Sequence, residues 1–454
     1  MSKKRSTLLL FILNAIIIQS ILAQSSYLFT PVTPQEWVVM MMEDGTNLSI
    51  IIQTVVTTDL PIKDIEIPKQ NSSSENLDIY LCENLYQNRT STISHVHRGT
   101  TWSYEPIYSD INLHFTHLNS RALPSEKGAF ELVVAHDSGL TLLSKNPQEW
   151  SNYELLMKDI RPIELFAADF DLITEGEEIL FIYEDPSIMI AIKIANFYLF
   201  NNNDSWVKHL ILQDNPITVS ACVGEFNTSN DVTEIMSIDS GGIVTLLQYQ
   251  KGGWKSERIR NYLFEPPYYQ YHSGGGVAAD FYPDFLGNEF ATGAVTPNKE
   301  FIAIFSNKTG EWQPEVIQLG NQTVNSVFIN DLTVVKVPNL NTTGIVAVDS
   351  EGNVWLVYLT DSGWDVVKLW QDTGPLYAVQ ILPDSNSIIV GGSSRNLTKI
   401  TSNFFTTSAT TAIPPNTTTI IRSNPTTSTV NFSPEMGVLF VAMVVVIVIS
   451  RKKQ

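Results

Sequence analysis

Three stretches decide how this chain is read: ELVVAHDSGLTLLSKNPQEW (Glu131–Trp150), EIMSIDSGGIVTLLQYQKGGW (Glu234–Trp254) and GIVAVDSEGNVWLVYLTDSGW (Gly344–Trp364). Each is an apolar run, a turn of Asp, Ser, Gly, Asn or Pro, a second apolar run, and a polar turn that ends at Trp. Apolar runs of strand length bounded by such turns read as antiparallel hairpins. A weaker pair repeats the pattern, EILFIYEDPSIMIAIKI before Trp206 and EFATGAVTPNKEFIAIFSNKTGEW ending at Trp312. With the first turn of each unit set at residues 88, 138, 185, 240, 298, 350 and 394, neighbouring units lie 44–58 residues apart. From turn to Trp the distance is 12–14 residues in five of six cases, and the exception carries Asn201, Asn202, Asn203 and Asp204 as an inserted loop.

No stretch shows helical periodicity with caps at both ends. Seven units of about 50 residues with four short strands each is the arithmetic of an all-β, seven-bladed β-propeller. The seventh unit lacks its Trp strand, whereas an unassigned strand with Trp37, PQEWVVMMMEDG (Pro34–Gly45), sits at the other end of the chain. Pairing that N-terminal strand with the segment near Lys399 would close the ring and leave no bare edge, over residues 27–402. The six recurrent Trp are expected to pack between neighbouring blades rather than to bind sugar. Trp355 and Trp370 fall off this register and are expected in the core or on a blade surface.

The ends of the chain set its expected address. Residues 1–23 open with Lys3, Lys4 and Arg5, continue through an apolar run and reach Ala23, as a secretory signal peptide does. Residues 403–435 form the expected disordered stalk, since residues 401–435 hold 16 Ser/Thr and four Pro with almost no charge. Met436–Ile449 is apolar and uncharged, and Arg451, Lys452 and Lys453 follow it. At about 1.5 Å per residue this run is short for a bilayer. The trailing charges favour a single transmembrane helix over 436–450 with a cytoplasmic tail at 451–454. A removable glycolipid-anchor signal near Ser423 and Asn424 is the competing reading. Asn-x-Ser/Thr acceptors at Asn47, Asn71, Asn88, Asn203, Asn227, Asn307, Asn321, Asn341, Asn396, Asn416 and Asn431 suit a chain outside the cytoplasm.

Charge narrows the partners. There are 28 Lys+Arg against 47 Asp+Glu, a net −19, and six of the basic residues crowd the two ends, so the stretch between carries −25. Such a surface repels phosphate backbones and excludes nucleic acid as a natural partner.

Phe166-Ala167-Ala168-Asp169-Phe170-Asp171 followed by Glu175-Gly176-Glu177-Glu178-Ile179-Leu180 resembles the blade opening of FG-GAP propellers, the repeats of integrin α-chain heads. Ala278-Ala279-Asp280-Phe281 with Asp284, Gly287, Asn288 and Glu289 is similar but looser. The resemblance implies a propeller that recognises extracellular partners, and an Asp-rich loop that in the family can hold calcium. Here Asp169 and Asp171 match the first two loop positions, Ile173 stands in the third, and Gly176 is displaced. Asp169, Asp171 and Glu175 are the candidate calcium ligands; the alternative is a solvated acidic turn.

Little in the chain points to an enzyme. There is no Gly-x-Ser-x-Gly elbow and no His-Glu-x-x-His. Ser237-Ile238-Asp239-Ser240-Gly241 opens like a sialidase Asp box but continues as an ordinary hairpin turn. Glu177 and Glu178 are adjacent and would face opposite sides of a strand. Gly274-Gly275-Gly276 precedes an inner strand, where glycines permit close backbone approach near the channel. Four of seven His cluster as His95, His97, His114 and His117; the first two share a strand face, as zinc ligands would, with no Cys to complete the set. Cys82 and Cys222 map to blades one and four, too far apart for a disulfide.

The reading that follows is a single-pass type I membrane glycoprotein of the plasma membrane or secretory pathway. Its acidic propeller serves recognition or adhesion toward an extracellular or lumenal protein or glycan, with no cofactor required. A glycan-processing propeller with carboxylates around the central channel, and a lumenal subunit of a membrane complex, are the rivals.

Overall fold

The computed structural model describes residues 35–41 and 47–405, apart from the segments 69–76, 86–89, 124–129, 146–148, 158–159, 171–176, 185–194, 203–205, 215–217, 228–231, 260–274, 297–298, 321–326, 338–339, 384–386 and a few single positions. The N-terminal strands are β1 (Gln35–Met41) and β2 (Asn47–Thr57). Blade one comprises β3 (Ile62–Glu66), β4 (Leu77–Leu85), β5 (Thr90–Arg98) and β6 (Trp102–Asp110). Blade two comprises β7 (Phe115–Ala122), β8 (Phe130–His136), β9 (Gly139–Lys145) and β10 (Trp150–Leu156). Blade three holds β11 (Arg161–Ala168), β12 (Glu178–Glu184), β13 (Ala195–Asn202) and β14 (Trp206–Asp214), and blade four β15 (Thr218–Gly224), β16 (Glu234–Asp239), β17 (Val244–Gln250) and β18 (Gly253–Ile259). Blade five holds β19 (Gly276–Ala279), β20 (Glu289–Thr296), β21 (Lys299–Ser306) and β22 (Gln313–Leu319), and blade six β23 (Ile329–Val337), β24 (Thr342–Asp349), β25 (Asn353–Thr360) and β26 (Gly363–Gln371). Blade seven takes β27 (Leu376–Ile381), β28 (Ser387–Gly392) and β29 (Asn396–Ser402) from the C-terminal side and β2 and β1 from the N-terminal side, in the order β1-β2-β29-β28-β27.

The architecture is an all-β seven-bladed propeller, in which each innermost strand touches the next around the axis and β27 returns to β3. Every one of the seven expected turns falls in the connection between the second and third strands of its blade.

The closing strand is not the one expected. Val38 and its neighbours pair with β2, Val38 lying opposite Ile50, and it is β2 that lies against β29, with Gln53 opposite Lys399. The reason is packing. The outermost strand of a blade must feed both neighbouring seams, and β2 does so: Ile50 and Ile52 enter the core between blades six and seven, and Val55 the core between seven and one. A register shift between Thr54 and Val56 accompanies that change of side. β1 becomes a fifth, outer strand.

Among the described residues, seven apolar clusters fill the seven seams. Trp102, Trp150, Trp206, Trp254, Trp312 and Trp364 open the outermost strands or stand one residue from their start, and each packs into the seam with the preceding blade. Trp150, for example, meets Tyr80 of blade one edge-on at 5.8 Å between centroids. Trp355 is buried in the seam of blades five and six, and Trp370 packs against that of six and seven. Phe405, 1% exposed, is also core. Cys82 and Cys222 are buried free thiols in blades one and four. Among the described residues no helix is long and apolar enough to cross a membrane. Phe404 and Phe405, expected in the stalk, pack with the propeller instead; the rest of the expected stalk, the apolar run at 436–450 and the expected signal peptide lie outside the described residues.

Candidate functional site: the axial cavity

Six innermost strands carry a register shift near their start, between Ile62/Asp64, Phe115/His117, Pro162/Glu164, Thr218/Ser220, Ile329/Asp331 and Leu376/Ala378. A bulge re-aims side chains that strict alternation would send elsewhere. Here the residues that follow it put Asp64, His117, Glu164 and Asp331 on the wall of an axial cavity of about 340 Å³, together with Lys63 and Tyr377. The cavity lies toward the end of the ring where the innermost strands begin.

The carboxyl groups are fastened to the backbone. Asp64 Oδ1 accepts from the Ile65 N–H (2.8 Å), and its Oδ2 from the Leu118 N–H of blade two (2.7 Å). Asp331 repeats the arrangement with Leu332 (2.8 Å) and Val379 of blade seven (2.8 Å). Glu164 accepts from the N–H groups of Ala221 in blade four and Gly275 before blade five. Each acid thus clasps its own blade to another and still faces the cavity.

Crowding and burial set their charge. Burial first, and the neighbouring Asp331 second, push Asp64 up to about 8 against the N–H bonds that oppose the shift. Burial raises Asp331 to about 7, and burial with the charges of Asp331 and Asp64 drives Glu164 upward as well. Three carboxyls in one small space cannot all ionise cheaply. His117 is pulled down to about 4 by burial and stays neutral. Lys63 is lowered by burial, and its Nζ stands 3.6 Å from the centre of the Tyr377 ring. The hydroxyl of Thr116, also on the wall, donates to the Ala135 carbonyl at 3.2 Å. The result is a proton-rich acidic pocket suited to a cation, without a nucleophile–base pair among its described residues.

Gly275 and Gly276 do what their position suggested. A Cβ on Gly275 would stand 2.7 Å from Asp331 Oδ1, and one on Gly276 2.6 Å from the Ala221 carbonyl. Gly274 lies outside the described residues.

Of the calcium candidates, Asp169 is exposed at the end of β11, its carbonyl accepting from the Thr233 N–H (3.1 Å), while Asp171 and Glu175 lie outside the described residues. Buried Glu178 instead anchors this loop, its Oε2 taking the Phe170 N–H at 2.7 Å. Glu234 and Glu289 open β16 and β20 in the same way, holding the N–H groups of Asn227 (2.6 Å) and Phe281 (2.7 Å). The FG-GAP-like pattern therefore marks a glutamate staple that recurs in blades three, four and five, a role visible in the sequence only as Glu at the head of the second strand of each of these blades. Glu177, adjacent to Glu178, serves separately by accepting the Ala122 N–H at 2.7 Å. Asp239 closes its hairpin by accepting from the Ile243 N–H (2.9 Å), the ordinary turn expected for Ser237–Gly241.

The four histidines separate into two pairs. His114 and His117 line the axial cavity, whereas His95 and His97 lie on β5 near the far end of blade one. Asp78, which the sequence reading passed over, completes a cluster with them: its Oδ1 lies 2.8 Å from His95 Nε2 and 2.8 Å from His97 Nδ1. The signal was available, because a hairpin turning at residue 88 sets residue 78 opposite 97, as the ladder shows.

Of the sequons, Asn307 is exposed between β21 and β22, and Asn227 and Asn396 are half-buried, the latter accepting from Thr57 Oγ1 at 3.0 Å. Asn47 opens β2; Asn71, Asn88, Asn203, Asn321, Asn341, Asn416 and Asn431 lie outside the described residues. No family model and no curated protein matches this chain.

Proposed function

We propose that this chain is a recognition protein, not an enzyme, and that its partner presents a basic group to the axial mouth. The observation that carries the reading is the convergence of Asp64, Glu164 and Asp331 on a cavity that water can enter. Carboxyls tied down by backbone N–H groups cannot swing toward a reacting atom. They can ionise when a cation arrives, which converts the cost of crowding them into affinity. The propeller fold itself suits binding in general, a warrant by analogy. The signal-like N-terminus, the sequons, the Ser/Thr/Pro segment and the apolar run with its trailing basic residues support a single-pass glycoprotein facing the cell exterior or a lumen. The partner is then an extracellular or lumenal protein or glycan, and the FG-GAP-like pattern agrees with such a role.

Titration of the solubilised full-length chain with lysine-rich and glutamate-rich peptides tests the binding. Only the basic peptide should bind, more weakly at high salt and more weakly again to Asp331→Asn. Equal affinity for both peptides, or an unchanged affinity in the variant, would remove the reading. Impermeant biotin on intact cells, with a glycosidase mobility shift, tests the address: labelling without permeabilisation places the ring outside the cell, labelling only after it places the ring in a lumen, and an unshifted, cytoplasm-facing chain contradicts both. Phospholipase release would point to the lipid anchor instead of the span.

A further inference from the structure

Asp78 is the second residue of β4, and His95 and His97 sit two apart on β5, so strand alternation puts both imidazoles on the face that Asp78 shares. One donor atom from each of the three residues lies within 4.8 Å of the others, and Asp78 Oδ1 is 2.8 Å from both His95 Nε2 and His97 Nδ1. Behind His95 stand two supports. Its other ring nitrogen, Nδ1, is 3.3 Å from Glu105 Oε1, and its ring is stacked on Tyr80 at 4.9 Å and 14°. Tyr80 is in turn wedged edge-on against Phe130 and Trp150 of blade two.

From this geometry we propose that Asp78, His95 and His97 bind one divalent cation of the zinc class, with a fourth coordination position open. Two imidazoles and one carboxylate are a borderline donor set, which suits Zn²⁺ or Co²⁺ and not Ca²⁺ or Mg²⁺. Metal-bound His commonly gives its second N–H to a carboxylate, which fixes the ring and raises its basicity; Glu105 occupies that place. His95 has a carboxylate against each ring nitrogen, and a neutral ring carries one N–H. It can donate to Glu105 and coordinate, with Asp78, a shared cation. In a tetrahedral site with bonds of about 2.1 Å, adjacent ligand atoms lie roughly 3.4 Å apart. The two 2.8 Å contacts therefore need widen only slightly. Asp78 and His97 are half-exposed, so the site is reachable from solvent, at the end of the ring away from the axial cavity. It is independent of the axial reading.

The test is Co²⁺ titration of the chelator-stripped, solubilised full-length chain, followed by Zn²⁺ competition. One Co²⁺ per chain should bind with visible d–d bands of a four-coordinate site, and Zn²⁺ should abolish them. His97→Ala should lose the bands, and Asp78→Asn should weaken binding. Glu105→Gln, which contacts no metal, should weaken it by about 10- to 100-fold while its circular dichroism matches wild type. His209→Ala, an exposed imidazole on blade three, should change nothing. Absence of the bands in the wild type, their survival at full strength in folded His97→Ala, or an unweakened Co²⁺ affinity in folded Glu105→Gln, would overturn the assignment.

Discussion

Replacing Asp64 by Asn should flatten the pH dependence of the propeller's stability, and the sign is opposite to ordinary acid denaturation. The unfolded chain ionises this carboxyl near 3.8, whereas the folded ring holds its proton up to about 8. Between those values the folded state binds one more proton than the unfolded, so stability is greatest on the acid side and falls as pH rises, by about 1.4 kcal/mol per unit. Across pH 6 to 8, with the titration levelling off near the folded value, the loss integrates to about 2 kcal/mol, an upper figure because water in the cavity eases the burial. For a ring of roughly 370 residues the unfolding entropy is about 0.8 kcal/mol/K, so the loss corresponds to about 3 °C in Tm. Buried His117 and His136, both pulled to about 4, act in the opposite sense below their ordinary value. They are present in both proteins and cancel in the difference. Glu164, which feels the charge of Asp64, should relax in the variant and flatten the curve further. The assay is differential scanning calorimetry of both proteins at pH 6, 7 and 8. The wild type should lose about 3 °C more than Asp64→Asn across that range; parallel curves, or a wild type that gains on the variant toward pH 8, would refute the burial argument.

Two further outcomes follow from the seams and turns. Asp349 is fully buried and accepts from the N–H groups of Glu351 (2.8 Å) and Asn353 (2.9 Å), from Asn353 Nδ2 (2.7 Å) and from Trp355 Nε1 (2.9 Å). Asp349→Ala should cost about 3 kcal/mol in urea unfolding by stranding these donors, and Asp349→Asn less than half of that; a cost below 1 kcal/mol for Ala would contradict the hydrogen-bond count. A Cβ on Gly391 would stand 2.7 Å from Ile62 Cγ2 across the seam of blades seven and one. Gly391→Ala should therefore destabilise by about 1 to 3 kcal/mol, read as a lower urea midpoint with an unchanged slope, while Gly253→Ala, where nothing lies within 4 Å of the added Cβ, should stay near wild type.

The blades were legible because their signal is periodic. Seven turns recur every 44–58 residues and five of six Trp follow theirs by 12–14, and a seam between blades needs a large apolar wedge at the same place each time. The closing strand was not legible because the fourth strand of blade seven alone lacks the indole, which sits instead on β1 at Trp37, while the alternating Ile50 and Ile52 of β2 fill the seam. The axial acids were hidden for another reason. Alternation assigns each strand residue a face, and a bulge shifts that assignment by one. Asp64, Glu164 and Asp331 each follow such a shift, so neither their direction nor their meeting is written in local pattern. Asp78 needed only the hairpin register, which the turn at residue 88 already supplied.

The closed ring, stitched from both ends of the chain, is tested most directly by a paired-cysteine experiment. Gln53 and Lys399 face each other across β2 and β29, and both native thiols are buried. The full-length Gln53→Cys/Lys399→Cys chain, carrying an engineered protease site between residues 259 and 276, should form a disulfide on mild oxidation, so that cleavage at that site leaves the two fragments joined without reductant. The Val38→Cys/Lys399→Cys chain should fall apart after the same treatment. Fragments that separate in the first case and stay joined in the second would show that the Trp37 strand, and not β2, closes the ring.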